Sequence, residues 1–400
     1  MTKIEQLLVE LCPNGVEQKT LGEICQIVRG ASPRPIKSYI TSKENGVPWI
    51  KIGDVSTGAK YVTSTEEYIT EEGAQKSRKV YKGDFILSNS MSFGRPYILQ
   101  IDGCIHDGWL SISGFQELLF PDFLYYILSS SFIQREMAKK ASFGGAVQNL
   151  NADIVKGIAI PVPPLPVQEE IVRILDELTE KTDKLISELN VELDERKKQY
   201  EYYKRQILLF DTSDTQWVTL GDIGKVSMCK RIMKSETSPN GDIPFYKIGT
   251  FGGQANAYIS KETFEAYKEK YSYPKKGDIL ISAAGTIGRT VIFDGQPAYF
   301  QDSNIVWIAN DESKLLNCFL NYYYQTQPWQ ISTGGTISRL YNDNISSAKI
   351  PLISKEEQLK IVSIMEKCET VFSNYTNSIK EEITTRKQQH EYYRDKLLTF

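Results

Sequence analysis

Histidine is nearly missing from this 400-residue chain, which holds only His106 and His390. That scarcity argues against an imidazole-based metal site or catalytic triad, since both need His beside further ligands or a nucleophile. The six cysteines, Cys12, Cys25, Cys104, Cys229, Cys318 and Cys368, are scattered with no Cys-x-x-Cys pair. They read as small buried hydrophobes in a reducing compartment, not as disulfides or zinc ligands. No apolar run approaches the length of a membrane span and the start lacks a signal-peptide pattern, so a cytoplasmic location without membrane association is expected. Cofactor motifs are lacking too. Ala284-Gly285-Thr286-Ile287-Gly288-Arg289-Thr290 has neither the spacing nor the lysine of a Walker A loop. No Gly-x-Gly fingerprint serves a dinucleotide or methyl donor, and no Asn-Pro-Pro-aromatic or Asp-Pro-Pro-aromatic run is present to grip an extruded base. The Pro163-Pro164 pair lies between Val162 and Leu165 and reads as linker. No carboxylate constellation recurs in both halves. The chain is therefore expected to be non-catalytic, with no cofactor and no metal.

What the chain does have is a second copy of itself. Arg196-Lys197-Lys198-Gln199-Tyr200-Glu201-Tyr202-Tyr203 returns as Arg386-Lys387-Gln388-Gln389-His390-Glu391-Tyr392-Tyr393. Thr20-Leu21-Gly22-Glu23-Ile24 matches Thr219-Leu220-Gly221-Asp222-Ile223, and Pro48-Trp49-Ile50-Lys51-Ile52-Gly53 matches Pro244-Phe245-Tyr246-Lys247-Ile248-Gly249. Lys82-Gly83-Asp84-Phe85-Ile86-Leu87-Ser88 matches Lys276-Gly277-Asp278-Ile279-Leu280-Ile281-Ser282. The offset drifts from 199 at Thr20/Thr219 to 190 at Gly145/Gly335 and then holds at 190 to the last residue. Loops absorb length changes at little cost, whereas a helical seam cannot. Two variable heads on matched rigid helices are implied. The doubling points to binding two copies, or two versions, of one thing.

The helices follow a seam of fours and threes. In the first it runs Ile171, Leu175, Leu178, Thr182, Leu185, Leu189, Leu193, Arg196, Tyr200, Tyr203, Ile207 and Phe210; in the second Ile361, Met365, Cys368, Phe372, Tyr375, Ile379, Ile383, Arg386, His390, Tyr393, Leu397 and Phe400. This is the coiled-coil spacing, with the same extra step of four in both copies, at Leu189–Leu193 and Ile379–Ile383. Prolines 163, 164 and 166 precede the first helix, and Ser354-Lys355-Glu356-Glu357 is a capping box for the second. About 40 residues at 1.5 Å each give a rod of about 60 Å. Packing of each helix on its own domain is the alternative, but so long a narrow stripe exceeds what one small domain covers. The expected architecture is α+β: two similar mixed α/β domains separated by two long helices forming an antiparallel coiled coil, a pseudo-two-fold internal repeat. Boundaries fall at 1–19, a segment completing the repeat; 20–161, the first head; 162–213, the first connector helix; 214–351, the second head; and 352–400, the second connector helix.

The net charge is −3, yet residues 20–158 carry +1 and residues 219–350 carry +2, against −5 for residues 162–215. Slightly basic heads on an acidic connector can meet nucleic acid where their cations cluster.

The ordered set of motifs, present twice, resembles the specificity subunit of type I restriction-modification systems. The resemblance covers the full length. It rests on Leu-Gly-Glu/Asp-Ile openings, Lys-Gly-Asp-x-x-x-Ser, a Gly-Gly turn, Ile160-Pro161 and Ile350-Pro351, and a Gln-x-x-Ile-Val start to each helix at Gln168 and Gln358. It implies that the two heads are target-recognition domains, each reading one half of an asymmetric bipartite site on double-stranded DNA. The helices would set the unread gap and dock two methyltransferase subunits, with two restriction subunits in the full complex. Chemistry, cofactor and ATP use would belong to those partners. A coiled-coil scaffold with protein-binding heads is the alternative.

DNA contacts need Arg, Lys, Asn, Gln, Ser or Thr at base edges and cations or backbone donors at phosphates. Positions where the heads diverge beside shared scaffold are the candidates. In the first head these are Arg29, Arg34, Lys37, Tyr39, Asn89, Ser92, Arg95, Gln148 and Asn149. In the second they are Lys230, Arg231, Lys234, Thr286, Arg289, Ser338 and Arg339. Arg95 and Arg289 recur as Gly-Arg and read as phosphate or scaffold residues, and Arg339 leads the base-reading candidates.

Overall fold

The structure is a computed structural model describing residues 2–56, 58–89, 93–141, 150–210, 215–329 and 339–400. It divides into two compact units, one of Met1–Asn190 with Lys380–Phe400 and one of Val191–Ile379.

The first unit holds two five-stranded sheets. One runs in the order Gln26–Arg29, Trp109–Ser113, Phe85–Ser88, Pro96–Leu99, Tyr61–Val62; the other runs Ile40–Thr41, Glu67–Ile69, Val47–Ile50, Gly103–Ile105, Arg78–Val80. Phe85-Ile86-Leu87-Ser88 is buried throughout, as a short unbroken apolar run between turn signals should be. The turn before it is built by Lys82-Gly83-Asp84. Gly83 takes a φ of +94°, the left-handed conformation that a side chain disfavours. Asp84 accepts the Tyr81 amide at 2.9 Å.

The second unit repeats the plan with shorter sheets. Gly224–Ser227, Ile305–Asn310, Ile279–Ser282 and Thr290–Ile292 form one, and Tyr258–Ile259, Ile243–Tyr246 and Tyr299–Phe300 form the other. Its turn is the same, with Gly277 at φ +93° and Asp278 accepting the Lys275 amide at 2.7 Å. Burial raises both aspartates above the usual carboxylate range, against the pull of the backbone amide.

Each head closes beside the long helix that follows it. Gln18–Thr20 pairs antiparallel with Ala159–Pro161, and Trp217–Thr219 with Lys349–Pro351. The Thr-Leu-Gly-Glu/Asp motif turns out to be a cap. The Thr20 amide donates to Glu23 at 2.6 Å and the Thr219 amide to Asp222 at 2.9 Å.

The long helices run Leu165–Ile207 and Lys355–Leu397. The first starts two residues into the Pro163-Pro164-Leu165-Pro166 run, with Pro166 in its first turn. The expected Ser354 box caps the second, with Glu357 accepting the Ser354 amide at 3.0 Å. Each helix is joined to its head by a fully buried glutamine. Gln168 accepts the Phe120 amide at 2.8 Å and donates to the Leu118 and Pro163 carbonyls at 2.8 and 2.7 Å. Gln358 accepts the Leu316 amide at 2.7 Å and donates to the Lys314 and Ile353 carbonyls, both at 2.9 Å.

Within each unit the start of one long helix and the end of the other share a core. In the first unit Val167, Ile171, Val172 and Leu175 pack with head residues and with Leu398. Thr179 meets His390 at 2.9 Å. In the second, Val362 and Met365 pack with head residues and with Leu208. There Tyr200 stacks on Phe372, with ring centroids 4.6 Å apart, and its hydroxyl donates to Glu369 at 3.3 Å. The paired segments are antiparallel in both units, so the seam is shared. It deviates from the fours and threes near the middle of the second helix and toward the end of both. Tyr203, Tyr375, Tyr393 and Phe400 are exposed, whereas Thr376, Leu208 and Leu398 are buried. After Tyr200 and His390 the inward face advances by four, to the partly buried Lys204 and Arg394, which lets the last turn meet the head.

The first helix of the chain, Lys3–Leu11, packs Ile4, Leu7 and Leu8 on the first unit's core. Lys3 pairs with buried Glu170 at 2.7 Å.

Replacing Gln168 by Leu should strand one amide and two carbonyls that the long helix otherwise satisfies. At 1–3 kcal/mol for an unsatisfied buried group, a loss of about 3 kcal/mol or more is expected by chemical denaturation. A loss below about 1 kcal/mol shows that the glutamine is dispensable. A second prediction concerns pH. Hydrogen bonds from Arg173 and then Lys3 hold the Glu170 carboxyl down at about 2. Its folded value lies below the ordinary 4.5. The stability it contributes is therefore complete above about 4.5 and lost as pH falls toward about 2. Glu170→Gln should melt below the parent at pH 7, with the gap closing over that window in a series of thermal melts.

Candidate nucleic-acid interface

The two heads place arginines from distant parts of the chain against one turn, the link between the strand of one sheet that comes last in the chain and an interior strand of the other. In the first unit this is His106-Asp107-Gly108. The Asp107 carbonyl accepts Arg29 Nε at 3.0 Å and Asn89 Nδ2 at 2.8 Å. Its carboxylate accepts the Ser32 hydroxyl at 2.7 Å and lies 3.7 Å from Arg34. The Ser32 hydroxyl is the main reason that the Asp107 carboxyl sits below the usual range. Arg78 reaches the Arg29 carbonyl with Nε at 3.4 Å.

In the second unit the turn is Gln301-Asp302-Ser303-Asn304. Strand register makes it equivalent: Ile105 lies opposite Ile50, and Phe300 opposite Tyr246. Asp302 accepts Arg231 Nε at 2.9 Å, and the Ser303 carbonyl accepts Arg339 Nη2 at 2.7 Å. The first residue of each turn faces a matching backbone amide. His106 Nε2 lies 3.4 Å from the Ile52 amide, and Gln301 Oε1 accepts the Ile248 amide at 2.9 Å. Burial lowers the His106 pKa below its ordinary value. A neutral imidazole has one acceptor nitrogen, and Nδ1, 2.6 Å from the Gly108 amide, is the better placed of the two. A cleft of about 250 Å³ opens beside the second turn, lined among others by Arg231, Lys234, Lys247, Gln301 and Asp302.

The Gly-Arg motif forms the end of a hairpin loop. The Ser88 hydroxyl accepts the Arg95 amide at 3.2 Å, and the Ser282 hydroxyl accepts the Arg289 amide at 2.9 Å. Gly94 and Gly288 take φ of +68° and +77° to allow it. The backbone of each arginine is thus scaffold, while its side chain is exposed. Arg289 Nη2 touches the Gly252 carbonyl at 3.3 Å. The Arg95 side chain makes no hydrogen bond or ion pair among the described residues.

The remaining candidates separate. Asn89 is buried, and its amide supports the Asp107 turn from inside. Tyr39 accepts Lys76 Nζ at 2.7 Å, and Glu72 and then Tyr39 raise the Lys76 pKa. Lys37 is exposed near Tyr39 in sequence. Lys230 stands 5.2 Å from the Tyr271 ring centre, and Lys234 opens a short exposed turn at the cleft. Thr286 is exposed in the hairpin loop. Ser92, Gln148, Asn149 and Ser338 lie outside the described residues. Sequence reading missed Asp107 and Asp302, because acidic residues are not expected at a DNA surface, and Arg78 and Lys247, which sit in or beside ordinary strands. The one available signal was that Asp107 and Asp302 occur at matching places in the repeat. Among the described residues no group of three or more His, Cys, Asp or Glu could hold a metal ion, and no helix is long and apolar enough to cross a membrane.

Comparison with known proteins gives the family. The family described as the type I restriction modification DNA specificity domain matches twice, over residues 13–195 and 212–385. A putative type I restriction enzyme specificity subunit of Haemophilus influenzae, S.HindORF215P, is 44% identical over 395 residues, covering 96% of each chain. The EcoR124I/EcoR124II specificity subunit of Escherichia coli is 31% identical over 266 residues, 61% of this chain and 63% of that one. Among solved structures, a chain from a study of complex assembly in the type I R-M system aligns with a TM-score of 0.74 at 19% identity, covering 96% of this chain and 98% of that one. The HsdS subunit of Thermoanaerobacter tengcongensis aligns at 0.58, also with 19% identity, covering 96% and 97%. The structural likenesses support the fold, and the two-fold match with the 44% identical relative supports the membership: this chain belongs to the specificity subunits of type I restriction-modification systems.

Proposed function

We propose that residues 20–161 and 214–351 are two target-recognition domains, each reading one half of an asymmetric bipartite site on double-stranded DNA. Residues 162–213 and 352–400 are the connectors that set the gap, and residues 1–19 complete the repeat. The observation that carries this reading is the equivalent turn in each head, where arginines from unlike loops converge. Shared scaffold with unlike side chains is what two readers of two different sequences require. Double-stranded DNA is the ligand, and the side chains divide by role. Exposed Arg95 and Arg289 are held by backbone at the same hairpin position, which suits phosphate contact. The cations at the two turns are the candidates for base edges.

The chain supplies recognition and no chemistry. Two methyltransferase subunits dock on the helices, and two restriction subunits join for cleavage. The supporting feature is again doubled: exposed Tyr202-Tyr203 and Tyr392-Tyr393 pairs sit at matching places, each in an edge-to-face arrangement at 5.5 and 5.3 Å. In the second unit Tyr203 also lines an apolar groove of about 510 Å³ with Tyr200, Phe372 and Tyr375. Repeated exposed aromatics of this kind mark interaction surfaces.

The test is methylome sequencing of cells carrying the chain with its methyltransferase partner. Exchanging residues 20–160 for the corresponding head of a relative should replace one half-site and leave the other intact; a change in both half-sites refutes independent readers. Inserting four residues near Leu189 and four near Ile379 should lengthen the gap without altering either half-site, and an unchanged gap removes the helices from that role. Arg289→Ala should weaken binding to every sequence and flatten the salt dependence by about one phosphate's worth, read as the slope of log K against log salt. A wild-type complex without salt-dependent DNA affinity removes the DNA reading altogether.

A further inference from the structure

Two arginines stand out from the other cations at the turns by how they are held. Arg29 leaves the end of strand Gln26–Arg29 and gives Nε to the Asp107 carbonyl at 3.0 Å. Arg231 lies beyond strand Gly224–Ser227 and gives Nε to the Asp302 carboxylate at 2.9 Å. The two are not register equivalents. Arg29 lies opposite Leu110, and the strand register of the second head puts Arg231 past the end of its ladder. A strand end in one head and a loop in the other thus bring the same atom to the same turn.

The choice of atom matters. A guanidinium has five N–H donors in a rigid plane. Anchoring Nε fixes that plane yet leaves the Nη1 and Nη2 pair as an open fork. Among the described residues neither Nη pair makes a hydrogen bond, and both side chains are exposed. An open fork matches the O6 and N7 acceptors of guanine in the major groove, the commonest specific arginine contact to DNA. Arg339 is different. Its Nη2 gives one N–H to the Ser303 carbonyl at 2.7 Å, and among the described residues its Nε makes no hydrogen bond, so no Nε anchor sets its plane. Among the described residues Arg34 makes only a loose 3.7 Å pair to Asp107 and is otherwise exposed, which suits a phosphate contact.

A carboxylate inside a DNA surface also has a purpose on this view. Asp302 holds Arg231 in line and repels phosphate, so the arginine is presented to a base edge and kept from collapsing onto the backbone. Asp107 does the same through its carbonyl, with its carboxylate tied to Ser32. The cleft of about 250 Å³ beside Asp302 leaves room at the Arg231 side.

We infer that Arg29 and Arg231 are the guanine-reading residues of the two heads, one G·C pair in each half-site, and that Asp302 is a positioning residue for Arg231. The inference rests on the bipartite DNA reading proposed above. Lysine keeps the charge but has neither Nε anchor nor fork. The experiment is methylome sequencing, with quantitative binding, of the assembled methyltransferase complex carrying single substitutions. Arg231→Lys should relax one G·C position in one half-site, with discrimination there falling on the order of 10- to 100-fold, while every other position keeps its preference. Arg29→Lys should do the same in the other half-site only. Asp302→Ala should relax the Arg231 position, and Asp302→Asn, which keeps an acceptor for Nε, should restore most of the preference. An intact half-site in each variant shows that the chain is folded and assembled. Uniform weakening on all sequences with a shallower salt slope makes these arginines phosphate contacts and overturns the assignment, as does an unchanged motif in both lysine variants. A parent complex with no bipartite motif overturns both this inference and the reading beneath it.

Discussion

The fold depends on a buried glutamine used twice. Gln168 and Gln358 each sit in the first turn of a long helix, where backbone N–H donors are otherwise left open. Each closes three backbone groups, two in the adjoining head and one in the chain just before the helix. A neutral amide can do this because it donates and accepts at once, and a hydrocarbon or carboxylate of the same length cannot. Once such a side chain is fully desolvated, any shift of helix against head breaks several hydrogen bonds together. The direction in which a 43-residue helix leaves its head is thereby set by one residue.

That rigidity gives the rest of each unit its latitude. The strands, the left-handed glycine turn, the hairpin ending in Gly-Arg and the turn at Asp107 or Asp302 are the same device in both heads. The loops that hang on them are not. Sheet hydrogen bonds and buried runs such as Phe85–Ser88 and Ile279–Ser282 carry the stability. Surface positions such as Arg29, Arg34, Lys230 and Arg231 can then differ at little cost, since exposed substitutions move stability by only about half a kcal/mol. A recognition surface can therefore change its specificity without refolding its support. The equivalence of His106 and Gln301 shows how far this tolerance extends: a ring nitrogen and an amide oxygen occupy the same place facing the same backbone amide.

The helices combine the two behaviours. Their starts are core elements of the heads, buried as deeply as any strand, as Ile171, Leu175 and Met365 show. Farther along they carry half-buried seams whose contacts are unlike in the two units, an aromatic stack at Tyr200 and a histidine–threonine contact at His390. The exposed tyrosines at 202, 203, 392 and 393 stand outside that seam. Two of them, Tyr203 and Tyr393, fall on the expected seam because it takes a step of three after Tyr200 and His390 where the inward face takes a step of four. The inward face turns to meet the head at Leu208 and Leu398, a tertiary demand that a one-dimensional period does not contain.

The internal repeat, the two long helices, the capping motifs and the turn glycines were legible in the sequence because each is a local matter. Periodicity, a left-handed φ and a side chain bonding three residues away all act over a few residues. The family resemblance rested on the order of those local signals. The candidate interface was legible only in outline. Arg29, Arg34, Asn89, Arg95, Arg231, Arg289 and Arg339 were all singled out for their residue type, yet the structure gives them different lives. Asn89 is buried support, Arg339 is tied to a carbonyl, and Arg29 and Arg231 are anchored with open forks. What separates them is contact with Asp107, Asp302 and Ser303, residues 36 to 78 positions away. Strand pairing brings those turns to the arginines, and pairing is set by burial of whole sheets, which no short stretch of sequence encodes.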